Sequence, residues 1–388
     1  MRSSGESNFS ASRKQSQICL NYAEAMPEIM KSEALNTKQL NVLKTLLGST
    51  LEELKGIVSQ FGLPAFTAKQ IADWLYKKHV RSIDQMTNLS QKARAALSEQ
   101  FTIGVSDPVH ISTSADGTEK YLFQVGDKHH IESVFIPEKD RATLCISSQM
   151  GCQMNCLFCA TGKQGFAGNL TTAEILNQVQ SIKEPNRLTN IVFMGMGEPL
   201  NNLDAVLKAI EIMTADYGYG WSPKRITLST VGILPHLPAF LDQTSCHLAV
   251  SVHAPSAFER RELISAEKAY PINDVMSLLK KYDWSHQRKL SIEYTLFDQL
   301  NDTPECANKL ADMLRGLTCH VNLIPFHQIP NVGLTPTPMA QIEQFQNQLM
   351  RRGISVTIRK SRGQDIEAAC GMLSTKQNNK AWKNYFIP

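Results

Sequence analysis

The sequence predicts an α/β fold: a partial, open (β/α)6 barrel with an N-terminal small helical domain and a short β linker. Three observations support this. From residue 142 onward, short β-branched runs alternate with segments of helical period. Residues 37–100 show helical periodicity alone, and residues 101–141 alternate apolar with polar. Six consecutive β-α units with right-handed crossovers make a parallel sheet, and six are too few to close an eight-fold barrel.

In the helical region, "TAKQIADWLYKKHV" sets Ile71, Trp74, Leu75 and Lys78 at helical spacing, and "SQKARAALSEQF" is a second amphipathic helix with Ser90 as its cap. Lys69, Lys77, Lys78, His79, Arg81, Lys92 and Arg94 make this region cationic, which by itself describes a solvated helix face. The linker runs through "EKYLFQV" and "HHIESVFIP", a small antiparallel unit.

The barrel (142–375) opens with the strand "RATLCIS". "TTAEILNQVQSIK" is a helix with a capping box from Thr171 to Glu174. Strand "TNIVFMGMG" and helix "NLDAVLKAIEIM" follow, then strands "RITLSTVG" and "CHLAVSVHAP" around the short helix "HLPAFLDQ". Helix "INDVMSLLKKY" leads to strand "KLSIEYTLF". "TPECANKLADMLRG" has Thr303 as cap, Pro304 at the first helical position and Gly316 as its stop. "HVNLIPF" is the sixth strand, "AQIEQFQNQLMRRG" a helix and "SVTIRK" a seventh strand.

The chain has 388 residues, 42% of them hydrophobic, and a formal net charge of +4. That charge is too weak alone to argue for nucleic acid. No apolar run approaches the roughly 18 residues of a membrane span. The opening "MRSSGESNFSASRKQSQ" is polar and lacks a signal-peptide core, so 1–36 and 376–388 read as tails. Nine cysteines without an export signal imply a reducing, cytoplasmic setting, where cysteines serve metals or catalysis. A monomer is expected.

The chemistry concentrates in "GCQMNCLFC". Cys152, Cys156 and Cys159 follow the first barrel strand, at the end where such folds carry their active sites. A structural zinc site wants a fourth ligand nearby, and the next histidine is His236. Iron–sulfur clusters are usually held by four thiolates; three leave one iron open.

The C-x3-C-x2-C spacing resembles the radical S-adenosylmethionine (SAM) superfamily, whose [4Fe-4S] cluster is chelated at its open iron by SAM. The resemblance makes the predicted fold a radical SAM barrel. Gly197 and Glu198 match that superfamily's GE motif, in which a strand-end carboxylate holds the methionine ammonium and glycine lets the backbone approach. "RATLCISSQMGCQMNCLFCATGKQGF", "NIVFMGMGEPL", "RITLSTVGILP", "VSVHAP", "VNLIPF" and "IRKSRGQDIEAACGML" together resemble the RlmN/Cfr family of RNA adenine methyltransferases, from about residue 37 to 375. RlmN members methylate C2 of adenine and Cfr members mainly C8; "MGMGEPL", with Pro199, is closer to RlmN. A non-catalytic iron–sulfur RNA-binding protein is the alternative from another class.

The resemblance implies a radical route, since C2 is an electron-poor ring carbon that cannot displace a methyl from SAM. One SAM methylates Cys370; a second is split by the cluster, and the 5′-deoxyadenosyl radical takes a hydrogen from that methyl. The methylene radical adds to adenine, Glu132 accepts the ring proton, and Cys145 attacks Cys370 to release the RNA through a transient disulfide. A thiolate suits both methyl acceptance and exchange. SAM contacts carried over are Ser229, Ser251, Val252, His253 and His327, the last standing where the family has asparagine. A second departure is Thr67, where the family has arginine. The implied partners are 23S ribosomal RNA, an anticodon-loop adenosine of certain tRNAs, and a flavodoxin-like or other reductant. Residues 351–362 hold Arg351, Arg352, Arg359, Lys360 and Arg362 with no acid among them and lead into the Cys370 loop, which suits phosphate contact.

Overall fold

The computed structural model describes residues 43–286 and 288–375; the two polar tails, with Cys19, lie outside the described residues. Strand β1 (Lys44–Thr45) precedes helices α1 (Leu51–Gln60), α2 (Phe66–Tyr76) and α3 (Gln91–Ser98), and β2 (Phe101–Thr102) pairs with β1 to close this unit. Thr50 starts α1 through a reciprocal capping box with Glu53. Ser90 caps α3 by accepting from the Ala93 amide at 3.2 Å. Ile71 and Leu75 are buried as their spacing implies, whereas Trp74 is half-buried, donates to Asn88 and carries Lys78 over its ring.

The segment read as a β linker is not a separate connector. It holds β3 (His110–Thr113), β4 (Glu119–Val125) and β5 (His129–Pro137), and β5 pairs antiparallel with β6 (Ala142–Cys145), the first barrel strand. The cause is local. Only residues 138–141 separate β5 from β6, and the Glu138 amide bonds the Arg141 carbonyl. That tight turn forces the two strands side by side.

After β6 come β7 (Gln149–Gly151), α4 (Ala160–Gln164), β8 (Phe166–Asn169), α5 (Thr172–Gln180), β9 (Asn190–Phe193) and α6 (Leu203–Thr214). Then follow β10 (Ile226–Thr230), α7 (Leu237–Gln243), β11 (His247–Ser251), α8 (Ala257–Leu263), α9 (Ile272–Leu279) and β12 (Leu290–Leu296). The barrel finishes with α10 (Pro304–Met313), β13 (His320–Pro325), α11 (Met339–Arg351) and β14 (Ser355–Ile358). One ten-stranded sheet runs β14-β13-β12-β11-β10-β9-β6-β5-β4-β3. Its strands from β6 to β14 are parallel, and β14 and β3 lie at opposite edges, so the barrel stays open. β7 and β8 form a small antiparallel ribbon that the sequence pattern does not reveal. No helix among the described residues is long and apolar enough to cross a membrane.

Parallel strands buried on both faces read as near-continuous apolar runs, and β9 (NIVF) and β11 (HLAVS) do so. Leu228 of β10 is fully buried near the centre of the sheet. Leu228→Ala is expected to lose about 2–5 kcal/mol in urea denaturation; a loss under about 1 kcal/mol would contradict close packing there.

Candidate active site

The cysteine loop rises from the β7–β8 ribbon. Gly151 has φ +76°, and a Cβ there would stand 1.7 Å from the Gly165 carbonyl oxygen, so only glycine fits. The loop is tied to α8 and its following turn by Leu157 N–H to the Leu263 carbonyl at 2.9 Å and by Ser265 O–H to the Met154 carbonyl at 2.6 Å. Cys152 and Cys156 are buried, Cys159 is half-buried, and all three line one cavity at the C-terminal ends of the parallel strands. Among the described residues, no three His, Cys, Asp or Glu side chains are arranged to hold a single metal ion. Three thiols lining one cavity are donors of the kind that hold an iron–sulfur cluster. Burial pushes the Cys152 thiol up to about 12 and raises Cys156 and Cys159 as well. Such thiols ionise against a cationic centre, and the donor set therefore fits a metal cluster.

Gly197, Glu198, Ser229, Ser251 and His253 line the same cavity. A Cβ on Gly197, at φ +103°, would meet Gln149 at 2.5 Å. Glu198 is buried and accepts from the Thr230 hydroxyl at 2.7 Å, the Val231 amide at 2.9 Å and the Leu200 amide at 3.1 Å. Burial outweighs these donors and raises its carboxyl to about 7. His253, at φ +55°, accepts the Thr295 amide on Nδ1 at 2.9 Å. Burial, then Arg260, lowers its pKa to about 3, so the ring is neutral with its proton on Nε2.

Two expected contacts fall elsewhere. Val252 is fully buried and outside the cavity lining; its amide donates to the Glu293 carbonyl and its carbonyl accepts from Arg260. Ser251 ends β11 on the cavity side, Val252 follows it into the core, and the left-handed turn at His253 brings the chain back to the cavity wall. His327 is also outside the lining, with Nε2 bonded to the Ser361 hydroxyl at 2.6 Å; Phe326 takes the wall instead. Sequence reasoning missed Glu293, a buried acid in the apolar strand β12 that lines the cavity, holds Asn322 at 2.9 Å and pairs with Arg359 at 3.5 Å. An acid inside "KLSIEYTLF" was the available signal.

Cys370 is exposed at the tip of a loop and lines this cavity and a second one. Cys159, Met194, Gly195, Arg359 and Gly371 are also common to both. The second cavity adds Cys145 and the cations Arg141, Lys360 and Arg362. Burial, then the charge of Cys370, pushes the Cys145 thiol up to about 12. Cys145 and Cys370 are free thiols, so the disulfide implied by the resemblance is absent here. Arg352 pairs with Asp312 instead of facing a cavity, which splits the basic run that looked continuous in sequence. Glu132 lines neither cavity. It is fully buried on the same face of β5 as Val134, the register partner of Cys145.

The family model described as the Radical SAM superfamily matches residues 146–310, and the one described as "Ribosomal RNA large subunit methyltransferase N-terminal domain" matches 44–103. A Parabacteroides distasonis protein named "Probable dual-specificity RNA methyltransferase RlmN" is 56% identical over 335 residues, covering 86% of this chain and 98% of that protein. The chain belongs to the RlmN family of radical SAM RNA methyltransferases. A Marinobacter nauticus protein named "Dual-specificity RNA methyltransferase RlmN" is 40% identical, covering 84% of this chain and 92% of that protein. The crystal structure of a radical SAM methyltransferase from Sphaerobacter thermophilus superposes with a TM-score of 0.80 at 38% identity, covering 85% of this chain and 98% of that one. The likeness is to RlmN, and the Cfr reading is set aside. Thr67, the second departure named from the sequence, is buried in α2.

Glu198 has a folded-state pKa raised from 4.5 to about 7. Its contribution to stability is therefore complete below about pH 4.5 and lost as pH rises through about 7. In iron-free protein, the stability difference between wild type and Glu198→Gln is expected to move against the wild type from about pH 5 to about 7.5, then level off. Urea denaturation checks this; a difference that stays flat across the window contradicts it.

Proposed function

We propose that this protein methylates C2 of an adenosine in 23S ribosomal RNA and of an adenosine in tRNA, using SAM and a [4Fe-4S] cluster. The observation that carries the reading is Cys370, a thiol on the partition between a cavity walled by three cysteines and a cavity walled by Cys145 and cations. A methyl acceptor placed there meets SAM on one side and RNA on the other. The name "dual-specificity" carried by the relatives supports two RNA classes.

Cys152, Cys156 and Cys159 would hold the cluster. When bound, the cluster supplies the electron that splits SAM into a carbon radical. Glu198 takes the SAM ammonium, and Ser229, Ser251 and His253 contact its nucleoside end. Because His253 is protonated on Nε2, it acts as a donor there. Cys370 accepts the first methyl as a nucleophile and carries it to the adenine. Cys145 attacks the Cys370 sulfur and frees the product RNA, a transient bond between thiols that are separate in the resting protein. Glu132 receives the ring proton.

Arg141, Lys360 and Arg362 line the second cavity and suit phosphate contact. The target base must be unstacked to enter. A flavodoxin-like or other one-electron donor supplies the cluster.

Digestion and nucleoside analysis of ribosomal RNA and tRNA from cells with and without the gene is expected to show 2-methyladenosine only when the gene is present. An unchanged nucleoside profile would remove the reading. Cys370→Ala is expected to abolish methyl transfer, and Cys145→Ala to stall with RNA covalently attached. Full activity in Cys370→Ala would instead support a non-catalytic RNA-binding role for the thiol loop.

A further inference from the structure

The Cys370 loop is fastened on both arms. On its first arm, the Gly363 amide donates to Asp116 at 3.0 Å, and Asp365 accepts from the Ser114 hydroxyl at 2.5 Å and the Ala115 amide at 3.1 Å. On its second arm, the Thr161 hydroxyl donates to the Leu373 carbonyl at 2.7 Å, and the Thr375 amide donates to Gln164 at 3.0 Å. Between the arms lies a buried ion pair, Lys120 on β4 and Glu132 on β5, 3.2 Å apart. Lys120 also donates to the Glu367 carbonyl of the first arm at 3.4 Å. Glu132 also accepts the Ser374 amide of the second arm at 3.0 Å.

We propose that Lys120 is a positioning residue for the methyl transfer: through its pair with Glu132 it buckles the two arms of the Cys370 loop and keeps Glu132 covered until the loop lets go. The inference rests on the reading of Glu132 as proton acceptor. In the arrangement seen, one Glu132 oxygen faces Lys120 and the other is taken by the Ser374 amide. Opening the Ser374 bond takes that amide donor away from the oxygen. The ring C–H bond of the adduct then breaks, its electron pair stays with the adenine, and the proton arrives on Glu132. A neutral Glu132 no longer attracts Lys120, so uptake of the proton loosens the buckle and lets Cys370 move toward Cys145. The electrostatics agree: burial raises the Glu132 carboxyl, while Lys120 and the Ser374 amide hold it down.

The test is a single-turnover time course with holoenzyme and substrate RNA, reading covalent adduct and methylated RNA separately, with hydrogen exchange of peptides spanning 363–375. Without Lys120 the buried Glu132 keeps its own proton and cannot take the one from the ring, so Lys120→Met is expected to slow release of the adduct at least tenfold more than its formation, and to speed exchange at Ser374 because the arms are no longer tied, with Lys120→Arg restoring both. Lys120→Gln is the second neutral variant if Lys120→Met does not fold. Formation and release falling in parallel, with Lys120→Arg no better than Lys120→Met, would mean a structural role alone and overturn the proposal. So would exchange and release that stay at wild-type rates. Glu132→Gln separates the two claims. If it releases adduct at the wild-type rate, the proton-acceptor reading fails; if it stalls while Lys120→Met releases normally, only the role of Lys120 fails.

Discussion

Cys152, Cys156 and Cys159 stand on one wall of a cavity where burial opposes the thiolate form. Their charge is sustainable only against a cationic centre, and three donors leave such a centre one coordination place short. The rest of the site follows from that shortage. Glu198, Ser229, Ser251 and His253 come from the ends of successive strands and face the same cavity. A parallel sheet sends all its strand ends in one direction, so residues far apart in sequence meet without any of them leaving a rigid element.

The second organising feature is the position of Cys370. It belongs to no strand or helix; its loop leaves β14 and returns across the mouth of the barrel to α4, where the Gly371 carbonyl accepts the Ala160 amide at 2.7 Å. That amide is the first after Cys159, so Cys370 is held beside the cysteine loop. The β3–β5 strands hold the loop from the other side through Ser114, Asp116, Lys120 and Glu132. The strands that looked like a linker therefore hold the loop, through the β3–β4 turn and through one residue each of β4 and β5.

Much of this was legible in the sequence. The β-α alternation gave the parallel strands, the capping residues Thr171 and Thr303 marked helix starts, and the cysteine spacing located the active end. What escaped was non-local. Val252 and Ser251 are adjacent in sequence, yet Ser251 ends β11 at the cavity and Val252 follows it into the core. His327 follows Phe326 directly, but it turns to Ser361 on a neighbouring loop that sequence spacing does not place. Arg359 belonged to a run read as phosphate-binding, and its pairing with Glu293 depends on β12 and β14 flanking β13. Glu132 was singled out by its place in a motif, but its burial and its pairing with Lys120 come only from the β4–β5 register.

The most direct test of the central claim is spectroscopic. Protein reconstituted anaerobically with iron and sulfide is expected to bind about four irons per chain, the content of one [4Fe-4S] cluster. After reduction, its electron paramagnetic resonance spectrum should change when SAM is added and should vanish in Cys156→Ala. Protein that takes up zinc in place of iron, or a cluster whose spectrum ignores SAM, would contradict an iron left open for the methyl donor.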